Sequence, residues 1–120
     1  MIESPFFEKP KLIENKVGFV IEDGFPVSKG HCLVVPYRNY SDYFQSTDEE
    51  MIGLHRLVKE TKKYLDKKYN PDGYNIGINS GEVSGQSVGH VHIHVIPRYK
   101  GDVENPRGGV RGVIPSKQSY

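Results

Sequence analysis

The sequence predicts an α+β domain, with an antiparallel sheet of about five strands, one long helix and one short helical turn. Short runs of β-branched and aromatic residues, bounded by Gly and Pro, are typical of strands. One long amphipathic segment follows the strand at residues 31–36, and the links between neighbouring runs are short enough for hairpins. We expect one domain over residues 1–120, with an irregular arm at residues 1–10 and a Gly- and Pro-rich tail at residues 100–120.

The elements follow from local patterns. Strands are predicted at residues 11–14, 17–22, 31–36, 74–79 and 90–96. The helix begins after a capping box, because Ser46 and Thr47 each precede a glutamate by three positions. Its apolar residues recur at steps of three and four, and lysines collect near its end, where they favour the helix dipole. The Asn70-Pro71 step ends the helix, and residues 39–44 are expected to form the short helical turn.

The composition excludes several classes of partner. The net charge of +1 and the pI near 7.8 give no overall field for nucleic acid or an anionic membrane. One Arg- and Gly-rich stretch, residues 107–112, is interpreted as a loop rather than an RNA-binding element. No apolar run approaches the ~20 residues that span a bilayer, and the N-terminal residues lack the apolar core of a secretory signal. Cys32 is the only cysteine, so no intramolecular disulfide can form and a cytoplasmic protein is expected.

Three of the five histidines, His90, His92 and His94, alternate with β-branched residues. Alternate residues of a strand share a face, so the pattern predicts three imidazoles on one face and a buried opposite face. A Gly-containing loop at residues 81–89 leads into this run. The trio has three interpretations: it binds a divalent metal, it performs nucleophilic and general-acid chemistry, or it is a packed cluster without chemistry.

Residues 90–96 have the pattern H-φ-H-φ-H-φ-φ, where φ is apolar, and this resembles the histidine triad (HIT) superfamily. The likeness extends to Asp23, eight residues before His31, and to Asn79, thirteen residues before His92. It also takes in the Gly-Gln-Ser turn at 85–87, the Pro-Arg-Tyr at 97–99 and the tail, which is similar to that of bacterial and archaeal HIT hydrolases. The resemblance implies a HIT-like fold. It also implies hydrolysis or transfer at the α-phosphate of a nucleotide, through a covalent nucleotidyl-histidine and without a required cofactor.

The resemblance also implies roles for individual histidines. His92 matches the nucleophile, in which one ring nitrogen attacks phosphorus while the other holds a proton bonded to a backbone carbonyl. His94 matches a position that contacts the scissile phosphate; as an imidazolium it would neutralise phosphate charge or help the leaving group depart. His90 and His31 match positions that support the nucleophile by hydrogen bonds, and a purely structural role fits them nearly as well.

Further positions match the nucleotide contacts of the family. Gly85 would let backbone amides approach the phosphate, Ser87 would bond the α-phosphate, and Gln86 would reach the bridging or leaving-group oxygen. Asn79 matches a position that faces the phosphate and ribose. Asp23 matches the residue that accepts the ribose hydroxyls, although an ordinary Asp-Gly turn is its alternative.

Two apolar positions, Ile21 and Leu33, match residues that sandwich the base, and either fits the core instead. Many bacterial relatives hold a structural zinc, and the corresponding positions here are Ser4, Phe7 and Asn39. These residues supply no thiolate, so we expect no structural zinc, with Phe7 holding the arm by packing. The resemblance also implies no catalytic metal, because the chemistry of the family needs an unliganded His92.

The resemblance also implies partners. The expected partners are an adenosine nucleotide and a second copy of the chain, because family members are usually symmetric dimers that pair the long helix and the strand at residues 74–79. The leaving group stays open between that of a diadenosine polyphosphate and that of an adenosine phosphoramidate. A nucleotide-binding signalling module with only incidental hydrolysis is the alternative from another class.

Overall fold

A computed structural model describes residues 3–120, so residues 1 and 2 of the predicted arm lie outside the described range. The strands are β1 (Ile13–Glu14), β2 (Gly18–Glu22), β3 (Cys32–Pro36), β4 (Gly73–Gly77) and β5 (Ile93–Arg98). Helix α1 spans Asp48–Tyr69, and a 3-10 turn at Tyr43–Gln45 precedes it. Further 3-10 turns lie at Glu82–Ser84, Gly109–Val113 and Pro115–Lys117. The predicted class, α+β with a five-stranded antiparallel sheet and one long helix, is confirmed.

All neighbouring strands of the sheet are antiparallel, in the order β1-β2-β3-β5-β4. The β2–β3 pair is the predicted hairpin, and Gly18 lies opposite Pro36. Strand β5 lies between β3 and β4, where His94 is opposite Leu33 on one side and Gly77 on the other. The third histidine of the run is therefore near the middle of the sheet, while β1 and β4 form its edges.

Helix α1 begins at one of the two predicted capping boxes. The Thr47 hydroxyl accepts a hydrogen bond from the Glu50 N–H at 3.1 Å, and the Glu50 carboxylate accepts one from the Thr47 N–H at 2.9 Å. Asn70 ends the helix in the left-handed conformation, with φ 52°. Gly53 allows the helix to approach the sheet, because a Cβ there would lie 2.5 Å from a methyl carbon of Val17.

The sheet buries apolar side chains on both faces, since successive residues of a strand point in opposite directions. The buried cluster beneath the helix contains Val20, Cys32, Val34, Leu54, Leu57, Leu65, Ile93 and Val95. The cluster on the other face contains Phe6, Phe19, Ile21, Leu33 and Val35. Because Phe6 belongs to the arm, the arm covers part of the face that carries His94.

The predicted histidine strand begins three residues later than expected. Strand β5 starts at Ile93, so only His94 of the trio lies within a strand, and His90 and His92 precede it. The extent of the predicted strand is therefore corrected. The three rings still lie on one side, since Phe6 packs on His90 and His92, and the His92 and His94 centroids are 5.1 Å apart. The opposite side is buried as predicted, since the exposed fractions of Val91, Ile93 and Val95 are 1%, 2% and 0%.

Hydrogen bonds to the main chain explain the late start. The Pro36 carbonyl accepts from Nε2 of the His90 ring at 2.8 Å, and the Val91 N–H donates to the Tyr40 carbonyl at 2.7 Å. The His90 carbonyl is bonded to Nδ1 of His92, also at 2.8 Å. These bonds use the main-chain groups that a longer β3–β5 ladder would need, so the ladder stops.

The remaining boundaries lie close to the predictions. Strand β4 ends at Gly77 rather than at residue 79, and β1 is shorter than residues 11–14. The tail contains only the two 3-10 turns, as its Gly and Pro content predicts. Within residues 3–120, none of the helices combines the length and the apolar character needed to cross a membrane.

Candidate active site

In the His92 ring, one nitrogen is hydrogen-bonded and the other is free. Its Nδ1 lies 2.8 Å from the His90 carbonyl oxygen, and a carbonyl only accepts, so Nδ1 carries the proton. Its Nε2 has no hydrogen-bond partner among residues 3–120. The ring is 8% exposed, and the Phe6 ring meets it edge-on with centroids 5.1 Å apart. A neutral His92 therefore presents an unprotonated Nε2 lone pair.

The His90 ring is fully committed. Its Nε2 donates to the Pro36 carbonyl, so its Nδ1 is the acceptor for the Ser4 hydroxyl at 2.6 Å. Burial lowers the pKa of His90, which favours this neutral form. Both ring nitrogens of His90 are hydrogen-bonded, so the ring fixes the segment whose backbone carbonyl is bonded to Nδ1 of His92. Of the two roles expected for His90, the structural one fits.

His31 and His94 form a second pair of rings, whose tautomers follow from the main chain. The Val27 N–H donates to Nδ1 of His31 at 3.1 Å, so a neutral His31 carries its proton on Nε2. That Nε2 lies 2.9 Å from Nδ1 of His94, which must then accept. The proton of a neutral His94 is left on Nε2, which points away from His31.

His94 is neutral near pH 7. Burial lowers its pKa to about 4, and the nearby His92 and His31 rings act in the same direction. Burial also lowers the pKa of His31, against the opposing effect of Asp23. At neutral pH the residue therefore offers a neutral N–H donor, and the imidazolium expected beside a bound phosphate stays a prediction.

Asp23 completes this cluster, since its Oδ2 lies 3.3 Å from Nε2 of His31 and 3.8 Å from Nδ1 of His94. Its Oδ1 accepts from the Phe25 N–H, so the Asp-Gly turn and the contact with the histidines coexist. Asp23, His31 and His94 also form a group whose potential ligand atoms lie within 4.8 Å of one another. Nδ1 of His92 and both nitrogens of His90 are hydrogen-bonded elsewhere, so the trio does not converge on one ion.

Gln86 does not face the site, contrary to expectation. Its Oε1 accepts from the Gly81 N–H at 2.8 Å, and its Nε2 donates to the carbonyls of Ser41 at 2.8 Å and Val88 at 3.2 Å. These three main-chain partners hold the glycine loop, residues 81–89, against the segment before the helix. The side-chain amide of Gln86 therefore stabilises the loop, because both its oxygen and its nitrogen are already hydrogen-bonded to the main chain.

Ser87 and Asn79 keep the polar groups that the expected phosphate contacts need. No bond to the Ser87 hydroxyl or the Asn79 amide is found in the described part of the chain. The loop brings Asn79 beside Gly85, where an added Cβ would lie 4.0 Å from Nδ2 of Asn79. Gly85 has φ 98°, which is readily adopted only by glycine, so the loop depends on this residue.

Ile21 and Leu33 lie in the core. Their exposed fractions are 0% and 4%, because Phe6 of the arm packs on them together with Val88. They offer almost no surface to a base, which corrects their expected binding role. Phe6 is a site residue that the sequence analysis did not name, and its place beside Phe7 was the available signal.

The tail forms part of the site, which the sequence could not indicate. A cavity of about 440 Å³ lies beside His94, with walls from β4, β5 and the tail. Among its lining residues are His31, Asn79, Ile96, Val110 and Val113. The tail of the same chain thus covers the β4 side of the histidine face.

The arm is fastened through Ser4 and Phe7, two of the three positions that the resemblance assigned to zinc ligands in many bacterial relatives. The Ser4 hydroxyl bonds His90 and also accepts from the Phe6 N–H at 3.3 Å. The Phe7 ring packs on His90 and Phe19, with centroids 5.3 and 5.6 Å away. Asn39, the third of these positions, is half-buried.

Comparison with known proteins agrees with this architecture. A family model described as the HIT domain matches residues 7–101, so the chain belongs to the HIT family. An uncharacterised HIT-like protein of Methanocaldococcus jannaschii is 49% identical over 79 residues, covering 66% of this chain and 60% of that protein. The crystal structure of a HIT family protein from Bacillus anthracis has a TM-score of 0.73 at 35% identity, covering 77% of this chain and 65% of that one.

Two other relatives have names that state an activity. A protein of Mycobacterium tuberculosis named AP-4-A phosphorylase is 34% identical over 108 residues, covering 82% of this chain and 55% of its own length. The bis(5'-nucleosyl)-tetraphosphatase (asymmetrical) of Schizosaccharomyces pombe is 38% identical over 77 residues, covering 64% and 42%. The chain thus spans roughly half of the length of these two relatives, and about 60% of that of the M. jannaschii protein.

Proposed function

We propose that the chain is a nucleotide hydrolase that cleaves a phosphoanhydride or phosphoramidate bond at the α-phosphate, through a covalent nucleotidyl-His92. The observation that carries this proposal is the His92 ring, whose Nδ1–H donates to the His90 carbonyl while Nε2 is free. This is the arrangement of a nitrogen nucleophile whose developing positive charge is supported from behind.

In the first step, Nε2 of His92 attacks the α-phosphorus. A P–N bond forms while the bond from phosphorus to the leaving group breaks, and its electron pair departs with that group. The Nε2–H of His94 donates a hydrogen bond at the reacting phosphate or leaving group. The Ser87 hydroxyl, the Asn79 amide and the amides of the glycine loop stabilise the phosphate oxygens.

In the second step, a water molecule attacks the same phosphorus and the P–N bond breaks. Its electron pair returns to Nε2 of His92, and the proton released by water leaves with the products. The net reaction consumes one water and releases a nucleoside monophosphate and the leaving group. These steps place no metal on His92, because its Nε2 must be unliganded to react.

The names of two relatives favour a dinucleoside polyphosphate as the substrate, with a phosphoramidate as the second choice. The 440 Å³ cavity beside His94 gives room for a leaving group larger than ammonia. We therefore take diadenosine tetraphosphate and an adenosine phosphoramidate as the two test substrates.

The test is a rapid-quench mass spectrum of the intact protein mixed with each substrate. We expect an adduct of one AMP per chain on His92, and the relative rates decide the leaving group. His92→Gly should lose the adduct and at least about a thousandfold of turnover, since the nucleophile is removed. His55→Asn is the matched control, because His55 lies exposed on α1, and it should react like the unsubstituted protein.

Turnover by His92→Gly at the normal rate would contradict the mechanism. If neither substrate gave an adduct or released AMP, a nucleotide-binding module without catalysis would be the better account.

A further inference from the structure

The cavity beside His94 extends away from the proposed nucleophile. It is lined by His94 and by Ile96, the next residue of β5 on the same face, and His92 is not one of its lining residues. Nδ1 of His94 faces His31 and Asp23, so its Nε2–H points to the other side of the ring. An in-line displacement sends the leaving group away from the attacking nitrogen. The cavity is therefore placed to receive the leaving group rather than the cleaved nucleoside.

Gly77 leaves this cavity open. It lies directly opposite His94 in the β4–β5 ladder, so a side chain there would stand on the histidine face, next to that of His94. Among residues 3–120, no atom lies within 4 Å of a Cβ added at Gly77. Its φ is not positive, so the backbone does not require glycine here. Glycine inside a strand often marks the close approach of a ligand, and Gly77 provides an open floor for one.

Two asparagines, Asn75 and Asn79, lie two residues before and after Gly77, and both line the cavity. Oδ1 of Asn75 accepts from Nη1 of Arg98 at 2.7 Å, which fixes the orientation of the amide. Nδ2 of Asn75 has no hydrogen-bond partner in the described range. Phosphate oxygens are acceptors, so amide donors on both sides of a bare backbone suit a phosphate chain. Asn79 serves the reacting phosphate, and Asn75 serves the phosphates that follow it.

The outer walls of the cavity are aliphatic. Val27, from the link between β2 and β3, and the tail residues Val110 and Val113 line it, with exposed fractions of 72%, 63% and 75%. Exposed aliphatic side chains around a polar floor are typical of a ligand site. A leaving group made only of phosphate cannot cover these side chains, whereas a heterocyclic base can.

We propose that Gly77 makes this chain select a leaving group that carries a second nucleoside, which binds between β4 and the tail. The inference rests on the proposed function and deepens it, because the chemistry at His92 is the same and the substrate class becomes a dinucleoside polyphosphate. As the P–N bond forms, the bond from the α-phosphorus to the bridging oxygen breaks. That oxygen departs with its electron pair as the terminal oxygen of a nucleoside polyphosphate, whose base packs on Val110 and Val113.

The test compares hydrolysis of diadenosine tetraphosphate and adenosine 5′-tetraphosphate, which have the same phosphate chain and differ in the second adenosine. We expect kcat/KM to be about tenfold higher for the dinucleotide, as burial of one face of a base against aliphatic side chains supplies. Gly77→Val should lower this ratio to about two or less, because its side chain fills the cavity. Val113→Ser, which removes part of one wall, should lower the ratio about threefold.

Two matched controls should keep the ratio of the unsubstituted protein. Gly73→Val places the same side chain at another open position of β4, outside this cavity. Ile114→Ser removes an exposed apolar side chain from the neighbouring tail position. Gly77→Ala, a smaller addition than valine, should give an intermediate ratio. Thermal unfolding should show no loss of stability in Gly77→Val, since valine is favoured in strands.

A ratio near one in the unsubstituted protein would overturn the inference, as would a ratio that Gly77→Val leaves unchanged. If neither compound is cleaved, the proposed function fails, and calorimetric titration of the same two compounds decides the inference. Tighter binding of the dinucleotide that is lost in Gly77→Val would support the site between β4 and the tail. Equal binding of the two compounds would overturn it.

Discussion

At the scale of single residues, the four histidines of the site differ because their ring nitrogens have different partners. His90 is saturated by a carbonyl and a hydroxyl, whereas His92 has one free nitrogen. His31 and His94 are coupled to each other, and the Val27 N–H fixes their proton positions. The main-chain groups around each ring thus decide which of its nitrogens are hydrogen-bonded and which are free to react or donate.

The lowered pKa values of His31, His90 and His94 predict an acid-sensitive fold. Their neutral forms are favoured in the folded chain, whereas the unfolded chain takes up protons below about pH 6.5. The stabilisation is therefore complete above about pH 6.5 and is lost as the pH falls toward about 4, the pKa of His94. For His94 alone, the loss is of the order of 3 kcal/mol at most, at about 1.4 kcal/mol per pKa unit.

Urea unfolding between pH 7.5 and pH 5 measures this dependence, in a range above the usual titration of carboxylates. His94→Asn should show a shallower fall of the unfolding free energy, while His55→Asn should follow the unsubstituted protein. A free energy of unfolding that stays constant from pH 7.5 to pH 5 would refute the assignment of neutral buried histidines.

At the scale of elements, the arm and the glycine loop have little regular structure, yet they position the site. The Ser4 hydroxyl and the Phe6 and Phe7 rings attach the arm to the histidine segment. Gln86 attaches the loop through three main-chain groups. Such segments lack a ladder of their own, so each depends on a few side-chain bonds.

We propose that the arm is held by hydrogen bonding and packing rather than by zinc. Ser4→Ala leaves Nδ1 of His90 without its donor in a buried place, and we expect a loss of about 1–3 kcal/mol in urea unfolding. Ser84→Ala, an exposed position in the loop, should cost much less. A metal chelator should leave the unfolding midpoint of the unsubstituted protein unchanged. Chelator-induced destabilisation with zinc at one per chain would refute this proposal.

At the scale of the whole molecule, the sheet has two open edges, and β4 is the longer of them. Ile76 on β4 is 41% exposed. An exposed edge strand with an apolar side chain favours pairing with another chain, and a two-fold pairing of β4 would close this edge. We therefore propose a homodimer that uses β4 and the neighbouring helix.

Sedimentation velocity at micromolar concentration should give a mass of two chains. Ile76→Lys should weaken the dimer by about tenfold or more, because a charge at the edge opposes strand pairing. Val83→Lys, in the exposed loop, is the matched control and should stay dimeric. A monomer at these concentrations, or a dimer unaffected by Ile76→Lys, would show that this surface is not the interface.

Local sequence patterns were enough to predict the fold class, the order of the strands along the chain and the capped helix. These features depend on periodicity and on neighbouring residues, as with Thr47 and Glu50, which lie one turn apart. The roles of Ser87 and of the carbonyl behind His92 were implied by the resemblance, and the hydrogen bond from the His92 ring to the His90 carbonyl is present.

Tertiary packing determines which polar atoms of the site residues are free and which apolar side chains are exposed. The Gln86 amide donates to the backbone carbonyl of Ser41, forty-five positions away. Ile21 is covered by Phe6 of the N-terminal arm. The neutral state of His94 depends on its burial beside His31, which lies just before β3. Long-range packing sets solvent access and hydrogen-bond partners, and these are properties that a local pattern does not contain.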